Sequence, residues 1–577
     1  MIMKASDYVS QFLEEKGVRV VFELSGGMIT HLLDSFFQRG KIHCVSMHHE
    51  QGAAFAADAM GRMTGIPGVA MATSGPGATN LLTGIGSCYF DSSPAVFITG
   101  QVNRHEQKGD RPIRQLGFQE TDIVSMVKPI TKAAWRVQNA QDLPMILRQA
   151  FHTATTGRPG PVIVDIPMDV QRASITPDIG DDPQLPFPPG IEFPESRWRE
   201  LFEKISQARR PLLLVGAGVR AGRSQELFLR FAEKLGIPVV CSLLGVDVLP
   251  YRHPLRVGMI GSYGNRWGNL AIGKSDFMMV LGSRLDVRQT GSEAQAFKSE
   301  RVIYHVDCEA GEINNRVKGC EAIVSPLKDF LQAGLQAAAA HRGADYTAWK
   351  GEIAQMRDQF PDENELQGLA GINPNHFMHV LSRHSNAAAA YCVDVGQHQM
   401  WAAQSLELSS SQRFLTSGGM GSMGFSLPAA VGASYAAPGD PIVLIAGDGG
   451  FQCNIQELQT VARNRLPIKL IVLNNHCHGM VRQFQESYFV KRYQSTLWGY
   501  SAPDFAKVAA AYGIPGRAVS NPAEIETAVQ WLWTEPGAPM LLDVQIDVSA
   551  NVYPKIAFGH PITEMEPFAK PLEMEGT

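Results

Sequence analysis

Two short polar groups in this chain could act together: Gly447-Asp448-Gly449, closing one apolar run, and Asn474-Asn475, closing the next. A carboxylate and an amide oxygen form a small, hard donor set. Such a set suits Mg²⁺, which keeps coordination positions open for a substrate's phosphates. Gly447 lets the backbone turn sharply, and the free amides of Gly449 and Gly450 could cradle a diphosphate. Taken singly, GDGG reads as a turn and NN as a loop; the spacing is what makes a site of them. A second candidate is Glu50, in His48-His49-Glu50-Gln51-Gly52 at the head of an alanine-rich helical pattern (AAFAADAMGRM). Standing alone, it would be only a carboxylate favoured by a helix N-terminus. Three further stretches follow: the glycine-rich TSGPGATN at 73–80 and GGMGSMGFSLP at 418–428, and Val395-Gly396-Gln397-His398 at a helix start.

These groups need elements to position them. The run PIVLIA at 441–446 is short, apolar and β-branched, and KLIVL at 469–473 repeats it, with the helix-like NIQELQTVARNR between. Strand, helix, strand places Asp448 and Asn475 at the carboxyl ends of neighbouring parallel strands. Similar runs recur upstream: VRVVFEL, PGVAMATS, PAVFITGQ and GPVIVDIP in a first block, PLLLVGAG, IPVVCSLL, FMMVLGSR and RVIYHVD in a second. The expected fold is α/β, with three doubly wound parallel-sheet domains at 1–172, 198–342 and 376–577. They are joined by a proline-rich linker at 173–197 and a polar, partly helical one at 343–375.

At 577 residues the chain exceeds what one core can carry, consistent with three domains. A net charge of −5 with no long basic run argues against nucleic-acid binding, and no stretch is long and apolar enough to span a bilayer. The eight cysteines are scattered without a CxxC pair and read as reduced thiols of a cytoplasmic protein. The start, MIMKASDYVSQFLEEKG, is an amphipathic helical pattern, not a signal peptide.

With GDG followed by NN, the sequence resembles the thiamine-diphosphate enzymes, and among them the acetohydroxyacid (acetolactate) synthase group. The resemblance covers nearly the whole chain and names the three blocks as pyrimidine-binding, central and diphosphate-binding domains. It implies that Asp448, Asn475 and Cys477 hold Mg²⁺. Thiamine diphosphate would be held by Gly26, Gly27, Val395, Gly396, Gln397, His398, Gly421, Met423, Gly447, Gly449, Gly450 and Met480. Met423 is the bulky residue that bends the cofactor, and the carbonyl of Gly421 accepts from its amino group. Glu50 lies in the matching HEQGA context; in the family this residue bonds the aminopyrimidine and drives proton removal from the thiazolium carbon. The run at 73–80 is given a packing role beside the cofactor. The resemblance also implies FAD, contacted by Arg158, Gly216, Gly218, Gly282 and Arg284, and an acceptor side made by Gln101, Phe118, Gln119 and Arg288. Because the pyrimidine domain of one subunit and the diphosphate domain of another complete each site in the family, a homodimer or homotetramer is implied.

The sequence also departs from that pattern. A glycine-aspartate pair near the adenine of FAD is replaced here by Ser325-Pro326. The loop at 104–117 (RHEQKGDRPIRQLG) is longer than usual. Met168 stands for a lysine, Val287 for an acidic residue and Phe484 for a tryptophan. These changes make a larger, less polar acceptor pocket in which Arg288 is retained. The expected activity is decarboxylation of pyruvate and transfer of the two-carbon unit to a second carbonyl. The acceptor is another 2-keto acid, giving 2-acetolactate, or a ketone such as a keto-sugar nucleotide. Two alternatives stay open: a pyruvate oxidase or simple 2-keto acid decarboxylase, and a non-catalytic cofactor-binding subunit.

Overall fold

A computed structural model describes residues 2–177, 193–340 and 343–573. Most of the proline-rich linker, with Pro183, Pro186, Pro188 and Pro189, lies outside the described residues. Three six-stranded sheets carry the chain, and every strand pair within them is parallel.

In the first sheet the spatial order is His43–Ser46, Val20–Leu24, Gly68–Ala72, Ala95–Gln101, Pro161–Pro167, Ala133–Arg136. The third sheet repeats this winding with Arg413–Leu415, Ala390–Val393, Ile442–Gly447, Ile468–Asn474, Met540–Gln545 and Gly516–Val519. In both, the chain reverses direction between the first and third strands met in sequence. Ligands of open α/β sheets bind in the crevice at such a reversal, beyond the carboxyl ends of the strands. The middle sheet runs Arg256–Met259, Val239–Cys241, Pro211–Val215, Phe277–Leu281, Val302–Asp307, Glu321–Val324, and reverses between Pro211–Val215 and Phe277–Leu281. That is the winding of dinucleotide-binding sheets.

The inner strands are almost wholly buried, as in Gly68–Ala72, Phe277–Leu281 and Ile468–Asn474, because helices cover both faces. The first and third sheets meet through two alanine-rich helices, Glu50–Thr64 and Ser426–Ala436. Small side chains bring them to backbone contact: a Cβ on Gly432 would lie 2.1 Å from the carbonyl oxygen of Ala56. The amphipathic start forms the helix Ala5–Glu15, which buries Tyr8, Val9, Phe12 and Leu13. No helix among the described residues is long and apolar enough to cross a membrane.

Candidate active site

The strands Ile442–Gly447 and Ile468–Asn474 pair in register, Gly447 opposite Leu473, so Asp448 and Asn475 emerge side by side from the sheet edge. Asp448 is buried, and its Oδ2 has no hydrogen-bond partner. Burial pushes its carboxyl up to about 6, against the lowering effect of the nearby Tyr500 hydroxyl and the Gly449 backbone. Asn475 is fixed by donating from Nδ2 to Gln397 Oε1 at 2.9 Å, and Gln397 in turn donates to the carbonyl of Ala550 at 2.9 Å. This fixes which end of the Asn475 amide presents oxygen. An orphaned buried carboxylate beside an oriented amide oxygen fits a hard divalent cation. Cys477 does not join them through sulfur. Its side chain is buried and its thiol is pushed up to about 11 by burial, so a neutral thiol stands there, a poor ligand for Mg²⁺. Only its backbone carbonyl is chemically suited to the role.

Around this pair the glycines leave room that any side chain would fill. A Cβ on Gly447 would lie 2.7 Å from Nδ1 of His398, one on Gly449 2.7 Å from the His478 ring, and one on Gly450 2.5 Å from Oδ1 of Asp394. Gly396 meets the His398 ring in the same way, at 2.6 Å. His398 is buried, its Nε2 unpartnered, and burial lowers its imidazole to about 3. It is a neutral ring at physiological pH with one nitrogen unpaired. Val395 and Gly421 approach each other: Gly421, at φ +69°, would place a Cβ 4.0 Å from Val395 Cγ1. Met423 is 38% exposed, so it is presented outward and is not a core filler. Met480, by contrast, is partly buried against the hydrophobic core.

Sequence reading missed the residue that organises this face. Asp394, wholly buried, accepts from the backbone of Val395, Gly424 and Ser426 and from the Ser426 hydroxyl, at 2.8–2.9 Å. It ties the strand end at 393 to the glycine-rich loop at 418–424. Its signal was present as the first letter of DVGQH, but its partners are distant in sequence. His478 and Tyr500, whose rings lie 4.4 Å apart beside Gly449, were also missed.

Glu50 opens the helix Glu50–Thr64, capped by His49, whose ring accepts from the Gln51 backbone at 3.0 Å. The turn before it is held from the third domain: Glu457 accepts from the backbone of His48 at 2.9 Å and His49 at 3.1 Å. The Glu50 carboxylate is buried and accepts from Asn80 Nδ2 at 2.9 Å. The run at 73–80, expected only to pack, therefore also aims the carboxylate. Gly77 lies against it, since a Cβ there would be 3.2 Å from Glu50 Oε1. Within one chain, no hydrogen bond among the described residues joins Glu50 to Asp448, Gly421 or Met423. Gly26 sits in the first sheet's crevice, where a Cβ would strike Thr73 at 2.5 Å, and Gly27 faces open space.

Of the residues expected on the acceptor side, Gln101 is already engaged within the fold. Gln101 is buried, and its amide is taken up: Nε2 donates to the Thr121 carbonyl at 2.7 Å and to Asp165 at 3.2 Å, and Oε1 accepts from Val102. It therefore holds the segment that carries Phe118 and Gln119, and its donors are not free for a substrate. Phe118 is 79% exposed, and Gln119 adopts φ 65° against Gly75. Arg288 is exposed and, among the described residues, forms no ion pair; its short helix is capped by Asp286, which accepts from the Arg288 and Gln289 backbone.

A cavity of about 1080 Å³ opens at the reversal of the middle sheet, where all three domains meet. Gly218, Gly282, Arg284, Arg288 and Arg158 line it, together with Arg62, Asp307, Pro326 and Gly418. Gly216 packs directly behind, a Cβ there lying 2.3 Å from the Gly282 carbonyl. Arg158 is not free for a ligand's phosphates: it pairs with Glu309 at 2.8 Å and Glu312 at 2.7 Å, bolting the first domain to the middle one. Close glycine approaches at a dinucleotide-type reversal, in a cavity this size, fit an extended nucleotide cofactor.

The fold and site define a class: an α/β chain of three parallel-sheet domains, with a buried carboxylate oxygen unpartnered at one sheet reversal and a second buried carboxylate at a helix start. Comparison with known proteins agrees. Residues 3–126 match the family model described as "Thiamine pyrophosphate enzyme, N-terminal TPP binding domain", residues 198–333 the central domain and residues 394–544 the C-terminal TPP binding domain of the same family. The chain is 37% identical to "Acetolactate synthase isozyme 2 large subunit" of Escherichia coli, over 98% of this chain and 99% of that protein. It is 36% identical to "Acetolactate synthase large subunit" of Lactococcus lactis, covering 97% and 95%. With "Acetolactate synthase 2, chloroplastic" of Nicotiana tabacum it shares 37% identity, covering 97% and 85%. The chain belongs to the thiamine pyrophosphate enzyme family and is related to the acetolactate synthases.

Proposed function

We propose that this protein is a carboligase that decarboxylates pyruvate and joins the remaining two-carbon unit to a second carbonyl. Thiamine diphosphate, when bound, supplies the electron sink that decarboxylation of a 2-keto acid requires. The observation that carries the reading is the orphaned Asp448 carboxylate set beside the oriented Asn475 amide. Those two residues would hold Mg²⁺, and Gly396, His398, Gly449 and Gly450 would receive the diphosphate. Glu50, held by Asn80, is the acid–base group, and its burial keeps water from competing for the proton. Gly421 and Met423 would position the aminopyrimidine, and Met423's exposure in the isolated chain supports a site completed by a second copy. We therefore also propose a homodimer or a larger homo-oligomer. The cavity at the middle sheet supports FAD, with Arg284 and the Gly218 and Gly282 backbone as its contacts and Gly216 packed behind them.

Arg288, unpaired and exposed, would hold an acceptor carboxylate as a planar, bidentate donor. With pyruvate as acceptor the product is 2-acetolactate. Met168, Val287 and Phe484 leave the acceptor side less polar, which favours a ketone such as a keto-sugar nucleotide as a second acceptor class. Replacement Glu50→Ala tests the reading: turnover of pyruvate should fall at least a thousandfold while thermal stability stays within a few degrees. Normal turnover in that variant would remove Glu50, and the reading with it.

A further inference from the structure

We propose that the loop at 104–117 is a preformed anion site for the acceptor, and that the acceptor carries a phosphate or diphosphate bound by Lys108, Arg111 and Arg114. The inference rests on the carboligase reading and adds to it the chemical class of the second substrate.

The loop is built to hold its shape. Glu120 buckles it by accepting from the backbone of Lys108 at 2.6 Å and of Leu116 at 2.8 Å. Glu106 closes its start on Asn103, and Arg104 is clamped by Asp169 at 2.8 Å and by the carbonyl of Gln138 at 2.7 Å. These bonds use up three carboxylates. Lys108, Arg111 and Arg114 have no ion-pair partner among the described residues, and Asp110 is the acidic residue left on the loop without one. Lys108 Nζ and Arg111 reach only backbone carbonyls, each at 3.5 Å. Three unneutralised cations recur every third residue on a braced loop, beside Ile113, Leu116 and Phe118, all exposed.

The loop stands at the rim of the acid-bearing site. Its far end runs into Phe118-Gln119; Gln119 packs on Gly75, and Gly77, two residues on, lies against Glu50. The three cations are carried on the braced loop that leads into this rim. One carboxylate, as in pyruvate, is matched by the single guanidinium of Arg288. Three further cations exceed what a second pyruvate needs and suit a group bearing two or more negative charges, which arginine forks grip best.

The test uses the enzyme saturated with thiamine diphosphate and Mg²⁺, so that its own diphosphate grip is filled. The combined variant Lys108→Gln, Arg111→Gln and Arg114→Gln leaves the Glu120, Glu106 and Asp169 clamps intact. With pyruvate as donor, kcat/KM is compared for dihydroxyacetone phosphate and for dihydroxyacetone. The wild type should prefer the phosphate ester, and the variant should lower that preference at least tenfold. An unchanged ratio would overturn the proposal. Calorimetric binding of UDP needs no turnover and is expected to weaken at least tenfold in the variant and to weaken with added salt in the wild type. Equal UDP affinity in both proteins would also overturn it. Failure of the wild type to consume pyruvate would strike the carboligase reading instead, and the UDP comparison would still decide the loop.

Discussion

Asp448 is buried with an unpaired oxygen, and its carboxyl is raised to about 6, chiefly by desolvation. A raised folded-state pKa means that the neutral form is the comfortable one without metal. Its stabilising share is fully present below the unfolded value near 4 and is lost as pH rises through about 6. Two units correspond to about 3 kcal/mol. Bound Mg²⁺ reverses the sign, because it needs the carboxylate. The melting-temperature gain from Mg²⁺ plus thiamine diphosphate should therefore grow from pH 5 to pH 7.5, and Asp448→Asn should abolish that growth. A gain independent of pH would show that Asp448 does not hold the metal. The motif letters GDG and NN were legible because each sits where an apolar run stops. Asn80 and Asp394 were not legible in their roles, because their partners, Glu50 and the 424–426 backbone, are about thirty residues away. Nor does a letter disclose that Gln101 spends its amide on Thr121 and Asp165.

The short helix Pro76–Asn80 exists to aim a carboxylate carried by the helix Glu50–Thr64. Replacement Asn80→Ala should lower kcat by about 10- to 100-fold with a smaller change in cofactor affinity, since a misaimed acid costs rate. An unchanged kcat would mean that Glu50 keeps its aim without Asn80. Between domains, the helices Glu50–Thr64 and Ser426–Ala436 touch through Gly432 and Ala56. Gly432→Ala places its Cβ against a backbone carbonyl that cannot yield easily, so it should destabilise the protein by about 1–3 kcal/mol, read as a lowered melting temperature. In the first two sheets the sequence runs found were the inner strands, mostly apolar because both faces are covered. The strands missed there are all at sheet edges: His43–Ser46, Ala133–Arg136, Arg256–Met259 and Glu321–Val324. Each is four residues long, and only Arg256–Met259 buries three of its four side chains; the other three bury one at most, so the apolar signal is gone.

Across the whole molecule, charged groups lock the three domains around the large cavity. Arg62 of the first domain bonds Asp58, Asp91 and the Thr416 carbonyl, and Asp91 accepts from the backbone of Gly418 and Gly419. Burial would raise Asp247 of the middle domain, but Arg413 and Arg220 outweigh it and hold its carboxyl below the ordinary range. This bracing keeps Glu50 fixed relative to its own chain's Asp448; in the homodimer proposed above the site draws one from each copy. Mixing inactive Glu50→Ala and inactive Asp448→Asn chains, unfolded and refolded together, should then restore roughly a quarter of wild-type activity, the share of intact sites in a random dimer mixture. No recovery would place both residues in one chain's site. The most direct test of the central claim is to supply the purified protein with thiamine diphosphate, Mg²⁺, FAD and pyruvate, with and without a ketone acceptor, and to identify the products by mass spectrometry. The expected products are carbon dioxide together with a ligated compound, 2-acetolactate or the ketone adduct. Acetaldehyde or acetate as the sole organic product, or untouched pyruvate, would contradict that claim.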